Sequence, residues 1–290
     1  MKRLMSISIT VITLLALALP ALAGEPDPGV GNVNFTIQNL HPSDEATVQV
    51  DYVSNGEGAG SSAGTVDATV NETIAALSSS GFPITESGLP DNWAGSVVVS
   101  SNKPAAAFAQ MRWENSALPT SNLRWRTAGA YNGFMEGAET LYLPSLAQRD
   151  GRQYSRIAVQ SADSPSTSET VDFTMTFYDR EGNVSGTIED SVNKGAQKTY
   201  DLSTTADVDL DDAAENNWLG SAVIKADNAG DMLVASATTH WTNYSAAYSA
   251  VTGGSEKVSL PSYTRRMPWS SGTPWFQYTS VVVQNLDPDD

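Results

Sequence analysis

Asn92-Trp93-Ala94-Gly95-Ser96 returns 125 residues later as Asn217-Trp218-Leu219-Gly220-Ser221. Each copy runs into a short apolar stretch, Val97-Val98-Val99 in the first and Ala222-Val223-Ile224 in the second. Three further landmarks follow in the same order. Trp113-Glu114-Asn115 recurs as Trp241-Thr242-Asn243, 128 residues on. Ala130-Tyr131 recurs as Ala247-Tyr248, and Leu143-Pro144-Ser145 as Leu260-Pro261-Ser262, both 117 residues on. Ordered landmarks with a drifting offset are what insertions and deletions in loops leave of a duplicated unit.

A fifth landmark occurs three times. Phe35-Thr36-Ile37-Gln38-Asn39-Leu40 resembles Arg156-Ile157-Ala158-Val159-Gln160-Ser161 and Val281-Val282-Val283-Gln284-Asn285-Leu286. The reading is two full units, 32–151 and 152–274, followed by the opening strand of a third within 275–290.

Inside each unit the periodicity is that of strands. Val48, Val50 and Tyr52 share one face of 47–53, and Phe173, Met175 and Phe177 share one face of 171–178, before a turn at 179–182. Short strands separated by Ser, Gly, Asn, Asp and Pro clusters imply an all-β chain: two tandem antiparallel β-sandwich domains plus a C-terminal extra strand. A short helix is expected over 72–79, and 56–64 reads as a mobile Gly/Ser-rich hairpin tip.

Composition narrows the function. The chain has 290 residues, 16 Lys+Arg against 33 Asp+Glu, two histidines and no cysteine. Without cysteine there is no disulfide framework, thiolate nucleophile or Cys-ligated metal. A formal charge of −17 leaves nothing to offset phosphate repulsion, so nucleic acid is not an expected partner. Lys2 and Arg3 precede an apolar run over 7–19, then Pro20 and Ala21-Leu22-Ala23. That is the layout of a secretory signal peptide (1–23), with 24–31 a linker into the first unit. The run is shorter than the roughly 20 residues that span a bilayer, so a secreted, extracellular or cell-surface location is expected, with no membrane insertion after cleavage.

The inventory for chemistry is thin. The Gly-rich 56–64 lacks the Gly-Lys-Ser/Thr ending of a phosphate loop, and no Gly-x-Ser-x-Gly elbow is present. His41 and His240 stand alone; His240 precedes Trp241 where the first unit has Arg112, so both read as structural or exposed. No catalytic residue is assigned. Asp207, Asp209, Asp211 and Asp212, with Glu215 beyond, form the one candidate metal site, for calcium, although Asp212 and Trp218 occupy the glycine and final glutamate positions of the helix-loop-helix pattern. A solvated acidic loop is the plainer reading. Trp93, Trp218, Trp113 and Trp241 recur at matched places and are expected in cores or between sheets. Trp125, Trp269, Trp275 and Tyr278 have no such role and are candidate ligand or interface residues, for a domain contact or for stacking on sugars.

Tyr131-Asn132-Gly133, Leu141-Tyr142-Leu143-Pro144-Ser145, the Gln-Asn pair and Asn-Trp-x-Gly-Ser before a valine run resemble tandem β-sandwich repeats of large secreted bacterial surface proteins. Such repeats are similar to immunoglobulin-like adhesion and stalk modules. The resemblance covers nearly the whole chain beyond the leader and implies display, spacing or attachment rather than catalysis. The second unit departs from it with Tyr248-Ser249-Ala250 at the Tyr131 turn.

Val281, Val282 and Val283 are expected to pair as a strand within 278–286, because a lone strand leaves backbone groups unsatisfied. It opens a third domain, or completes the second unit in a permuted repeat, or inserts into a neighbouring molecule and builds a fibre. The expected function is a non-catalytic exported structural or adhesive module, with a carbohydrate-binding module or a strand-donating fibre subunit as alternatives. The expected partners are other copies of itself or cell-surface proteins and glycans.

Overall fold

The computed structural model describes residues 28–121, 126–149, 151–203, 210, 217–241, 244–261 and 281–286, and the backbone of 265–268 and 276–278. The expected leader lies outside these residues. The first sandwich is built from β1 (Val30–Asn39), β2 (Ala46–Gly58), β3 (Val66–Ile74), β4 (Ser79–Phe82), β5 (Trp93–Ser101), β6 (Ala105–Glu114) and β7 (Arg126–Asn132). The second is built from β8 (Thr140–Arg149), β9 (Gln153–Ser161), β10 (Thr170–Tyr178), β11 (Val184–Asn193), β12 (Gln197–Asp201), β13 (Asn217–Ala226), β14 (Leu233–Trp241) and β15 (Ser245–Ser249). A separate hairpin, β16 (Arg265–Pro268) and β17 (Phe276–Tyr278), follows. The chain is all-β, and among the described residues every ladder is antiparallel.

The duplication is visible in the topology. The first sandwich has sheets of order β4-β1-β6-β7 and β3-β2-β5. In the second, β12-β9-β14-β15 repeats the former and β11-β10-β13 the latter. The cores repeat as well. Val48, Val50 and Tyr52 of β2 point inward with Ile37, Ile74 and Phe82, and Phe173, Met175 and Phe177 of β10 stand at the same places with Ile157, Val159, Trp218 and Ile224. Each fully buried side chain of this size contributes about 1.5–3 kcal/mol relative to exposure. The strand period of two sorts inward from outward residues.

The repeated Asn-Trp-x-Gly-Ser motif has a packing cause. Tryptophan and glycine two residues apart lie on the same strand face, and the indole folds across the glycine. A Cβ on Gly95 would collide with the Trp93 ring and the Val53 carbonyl oxygen; one on Gly220 would collide with the Trp218 ring and the Tyr178 carbonyl oxygen. Both indoles find an acceptor two strands away, on the second residue of β3 or β11. Trp93 Nε1 donates to Asp67 Oδ2 at 2.8 Å, and Trp218 Nε1 to Ser185 Oγ at 3.0 Å. The Gln-Asn landmark has a cause too. Asn39 is fully buried; its amide donates to the carbonyls of Asp44, Ile74 and Ala75, and its oxygen accepts from the His41 amide.

Two expectations are corrected, and the Gly/Ser-rich tip shows internal hydrogen bonds. Residues 72–79 are not helical: β3 runs in register with β2 to Ile74, a turn follows, and β4 begins at Ser79. The ladder and the burial of Ile74 override local helical preference. The 56–64 tip is a stapled one: Ser54 Oγ donates to the Ser61 carbonyl at 2.7 Å, and Gly64 N to the Ser54 carbonyl at 3.0 Å. The boundary at 151 also divides the sheets in the wrong place. β8, assigned by sequence to the first unit, pairs with β13 from Asn217↔Arg149 to Lys225↔Thr140 and meets β9 only at Gln148↔Tyr154 and Arg149↔Gln153. The first unit is thus permuted: its closing Leu-Pro-Ser strand belongs to the second sandwich in space.

Candidate functional site at the joint between the sandwiches

The inner face of β6 and β7 reaches past its own core and covers the outer face of β9, β14 and β15. Ala105 and Ala107 pack on the first core, while further along the same face Trp113 is buried against the second sandwich. Its indole meets the imidazole of His240 edge to face, with centroids 4.8 Å apart, and the Tyr154 ring lies 5.2 Å from the same imidazole. Gly129 lets β7 approach β15: a Cβ there would sit 3.0 Å from that of Ala247. Ser245 Oγ donates to Thr127 Oγ1 at 2.9 Å, and Ser249 Oγ to the Asn132 carbonyl at 3.0 Å. A second contact lies beneath β2 and β5. Val53 of β2 is fully buried in the second core cluster, and Ser96 Oγ donates to the Gly195 carbonyl at 2.7 Å.

His240 is the titratable group at this joint. It is 1% exposed, and burial, reinforced by the Arg156 guanidinium and opposed by Asp201, pushes its imidazole down to about 4. Arg156 itself is bound through Nε to Asp201 Oδ2 at 2.6 Å. His240 Nδ1 lies 2.8 Å from Ser245 Oγ. With the Ser245 hydroxyl donating to Thr127, a hydrogen on His240 Nδ1 would complete the chain of bonds. A serine and histidine at this distance have nucleophile–base spacing. This imidazole, however, is enclosed by two aromatic rings and is a weak base at neutral pH, far from the value suited to proton abstraction there.

The candidates named from sequence fall apart in space or outside the described residues. Trp125, Trp269, Trp275 and the acidic Asp207, Asp209, Asp211 and Asp212 lie outside them; Leu210, within that acidic run, is fully buried in the second core. Tyr278 ends β17, opposite Arg265. Val281, Val282 and Val283, expected to pair as a strand, are in no ladder and are 46%, 52% and 85% exposed. The pairing partner of β17 is β16. Trp218 and Trp113 are buried and Trp93 packs on the first core, as expected, whereas Trp241 is half-buried and stacks on the exposed Tyr244 at 4.8 Å. His41 Nδ1 accepts from the Asp44 amide at 3.0 Å in the β1–β2 turn. Among the described residues no three His, Asp or Glu side chains are grouped to hold a metal. One shallow, open depression, about 410 Å3, lies on the outer face of β10 and β13 between Thr174, Thr176, Lys225 and Asp227.

Sequence reasoning did not identify the joint. Its signal is the contrast between units: Thr127 and Gly129 in the first are Tyr244 and Ala246 in the second. Thirteen residues separate Trp113 from Thr127 and two separate Trp241 from Tyr244, which is the drift of the offset from 128 to 117.

The class defined by this fold is a tandem antiparallel β-sandwich protein with a packed inter-domain joint. No family model, curated protein or solved structure matches the chain. Among the described residues no helix is long and apolar enough to cross a membrane.

Proposed function

We propose that this chain is a non-catalytic, exported structural or adhesive module of the bacterial cell surface or extracellular matrix, which spaces or displays what it is joined to. The observation that carries this reading is the joint. Trp113, Thr127, Gly129, Ser96 and Val53 of one sandwich are committed to holding the next, so the units stack as a solenoid does, each supported by its neighbour. Its partners are further copies or surface proteins and glycans, and no cofactor enters the reading. The Lys2-Arg3 start and the Ala21-Leu22-Ala23 exit support export. Expression in a bacterial host with fractionation tests it: the chain is expected outside the cytoplasm and starting at Gly24. Retention in the cytoplasm with an intact start overturns export, and turnover of a substrate by the purified chain overturns the non-catalytic reading.

A further inference from the structure

The two sandwiches differ by one strand. In the second, β13 lies between β10 and β8, and β8 brings Leu141 and Leu143, both fully buried, onto the core. In the first, β5 pairs with β2 alone, and among the described residues nothing pairs along its other edge. The difference is felt in the core. Ala222 and Ile224 of β13 are fully buried, whereas their counterparts Val97 and Val99 are only partly buried. A valine-rich strand with an open edge is a template for another strand.

The chain also holds a β8 without a β13. Leu260-Pro261-Ser262 repeats Leu143-Pro144-Ser145. The ladders agree: Gln148 faces Tyr154 across β8–β9, and Arg265, at the place of Gln148, faces Tyr278, at the place of Tyr154. The β16–β17 hairpin therefore repeats the β8–β9 hairpin. Val258 and Leu260 stand at the places of the fully buried Leu141 and Leu143, yet are 75% and 54% exposed.

We propose that segment 257–261 of one copy adds to the β5 edge of a second copy, joining chains head to tail. The β13–β8 register sets Ala222 opposite Leu143, Val223 opposite Tyr142 and Ile224 opposite Leu141. Carried over, it sets Val97 opposite Leu260, Val98 opposite Ser259 and Val99 opposite Val258. Main-chain bonds supply affinity, and Val258 and Leu260 fill the unfinished core. The segment from Val281 onward cannot take this site, because β1 already fills the place of β9 in the first sandwich. The contact joins two different surfaces and does not close on itself, so it propagates as a filament. The proposal rests on the structural-module reading only for its purpose; the cross-link below reports strand addition whatever the outcome for export.

The chain has no cysteine, which makes a disulfide test clean. Opposed residues of an antiparallel pair have Cα atoms about 4.5–5.5 Å apart, within the range a disulfide spans. Val98→Cys protein mixed with Ser259→Cys protein under mild oxidation is expected to give a covalent dimer. Its yield is expected to be about tenfold that of Ser259→Cys with Asn71→Cys, a control on the exposed β3 edge. Full-length Val258→Asp/Leu260→Asp, altered only at exposed positions, is expected to self-associate about a hundredfold more weakly in sedimentation. Equal yields with the control, closure of a Val98→Cys/Ser259→Cys chain on itself as a monomer, or unchanged association of the aspartate variant overturns the proposal.

Discussion

The Trp113 indole and the His240 imidazole meet in a T-shaped contact with ring planes at 87°, and the two residues belong to different sandwiches. Two β-sandwiches on one chain tend to be joined by a linker and to move independently. Here a buried aromatic of one domain closes over a buried imidazole of the other, so the joint behaves as a small core. β6 extends to Glu114, and its last inward residue, Trp113, lies over Gly31 of its own sandwich and against His240 of the next.

Trp113→Ala is expected to cost about 3–5 kcal/mol, the range for truncating a buried aromatic. Calorimetry is the measurement. The parent is expected to unfold in one transition and the variant in two, as the sandwiches lose their shared contact. A single transition shifted by less than 1 °C would show the joint to be incidental.

Stability is expected to fall as pH drops from about 6.5 to about 4. In that window the unfolded chain binds a proton at His240 that the folded chain, with its imidazole held at about 4, refuses. The full effect is about 3 kcal/mol. Carboxyls held low, such as Asp44 by Lys103 and Asp179 by Asn183, lose their contribution only below their ordinary value of 3.8, so the two regimes separate. Urea unfolding across pH reads this directly, and His240→Phe is expected to flatten the slope between 6.5 and 4.

Gly95→Ala and Gly220→Ala are expected to destabilise by about 1–3 kcal/mol each, because the new methyl meets backbone oxygen and indole that cannot both move. Gly81→Ala, in β4 with open space around the position, is expected to change stability by less than about 0.5 kcal/mol. Chemical denaturation of the three variants checks the contrast.

Calcium is expected to leave the thermal midpoint unchanged if 207–215 is a solvated acidic loop. A rise of several degrees at millimolar calcium, lost on Asp209→Asn with Asp211→Asn, would instead place an ion among Asp207, Asp209, Asp211 and Asp212.

Much of the fold was legible because its determinants are local or repeat. Alternation in Val48, Val50 and Tyr52, and in Phe173, Met175 and Phe177, follows from the strand period. The recurring Asn-Trp-x-Gly-Ser motif announces two units, while the packing of its ring over its glycine is visible only in the structure. The helix expected over 72–79 failed for a tertiary reason: pairing with β2 outweighs the preference of a few residues. The same limit applied to the joint, since nothing near Trp113 in sequence points to His240.

By itself, then, the amino-acid order determined that this is a twice-written all-β chain with tryptophan, valine and leucine landmarks inside it, because side-chain periodicity and recurrence are properties of the string. Only the tertiary structure decided which strands share a sheet. β8 sits in the second sandwich, β5 has one edge unpaired among the described residues, and Trp113 is spent on the neighbouring domain. The reason is that strand pairing is a long-range choice. A strand's own residues state which face is apolar, but its edge bonds equally well to any strand of matching register, and the packing of the whole chain selects among them.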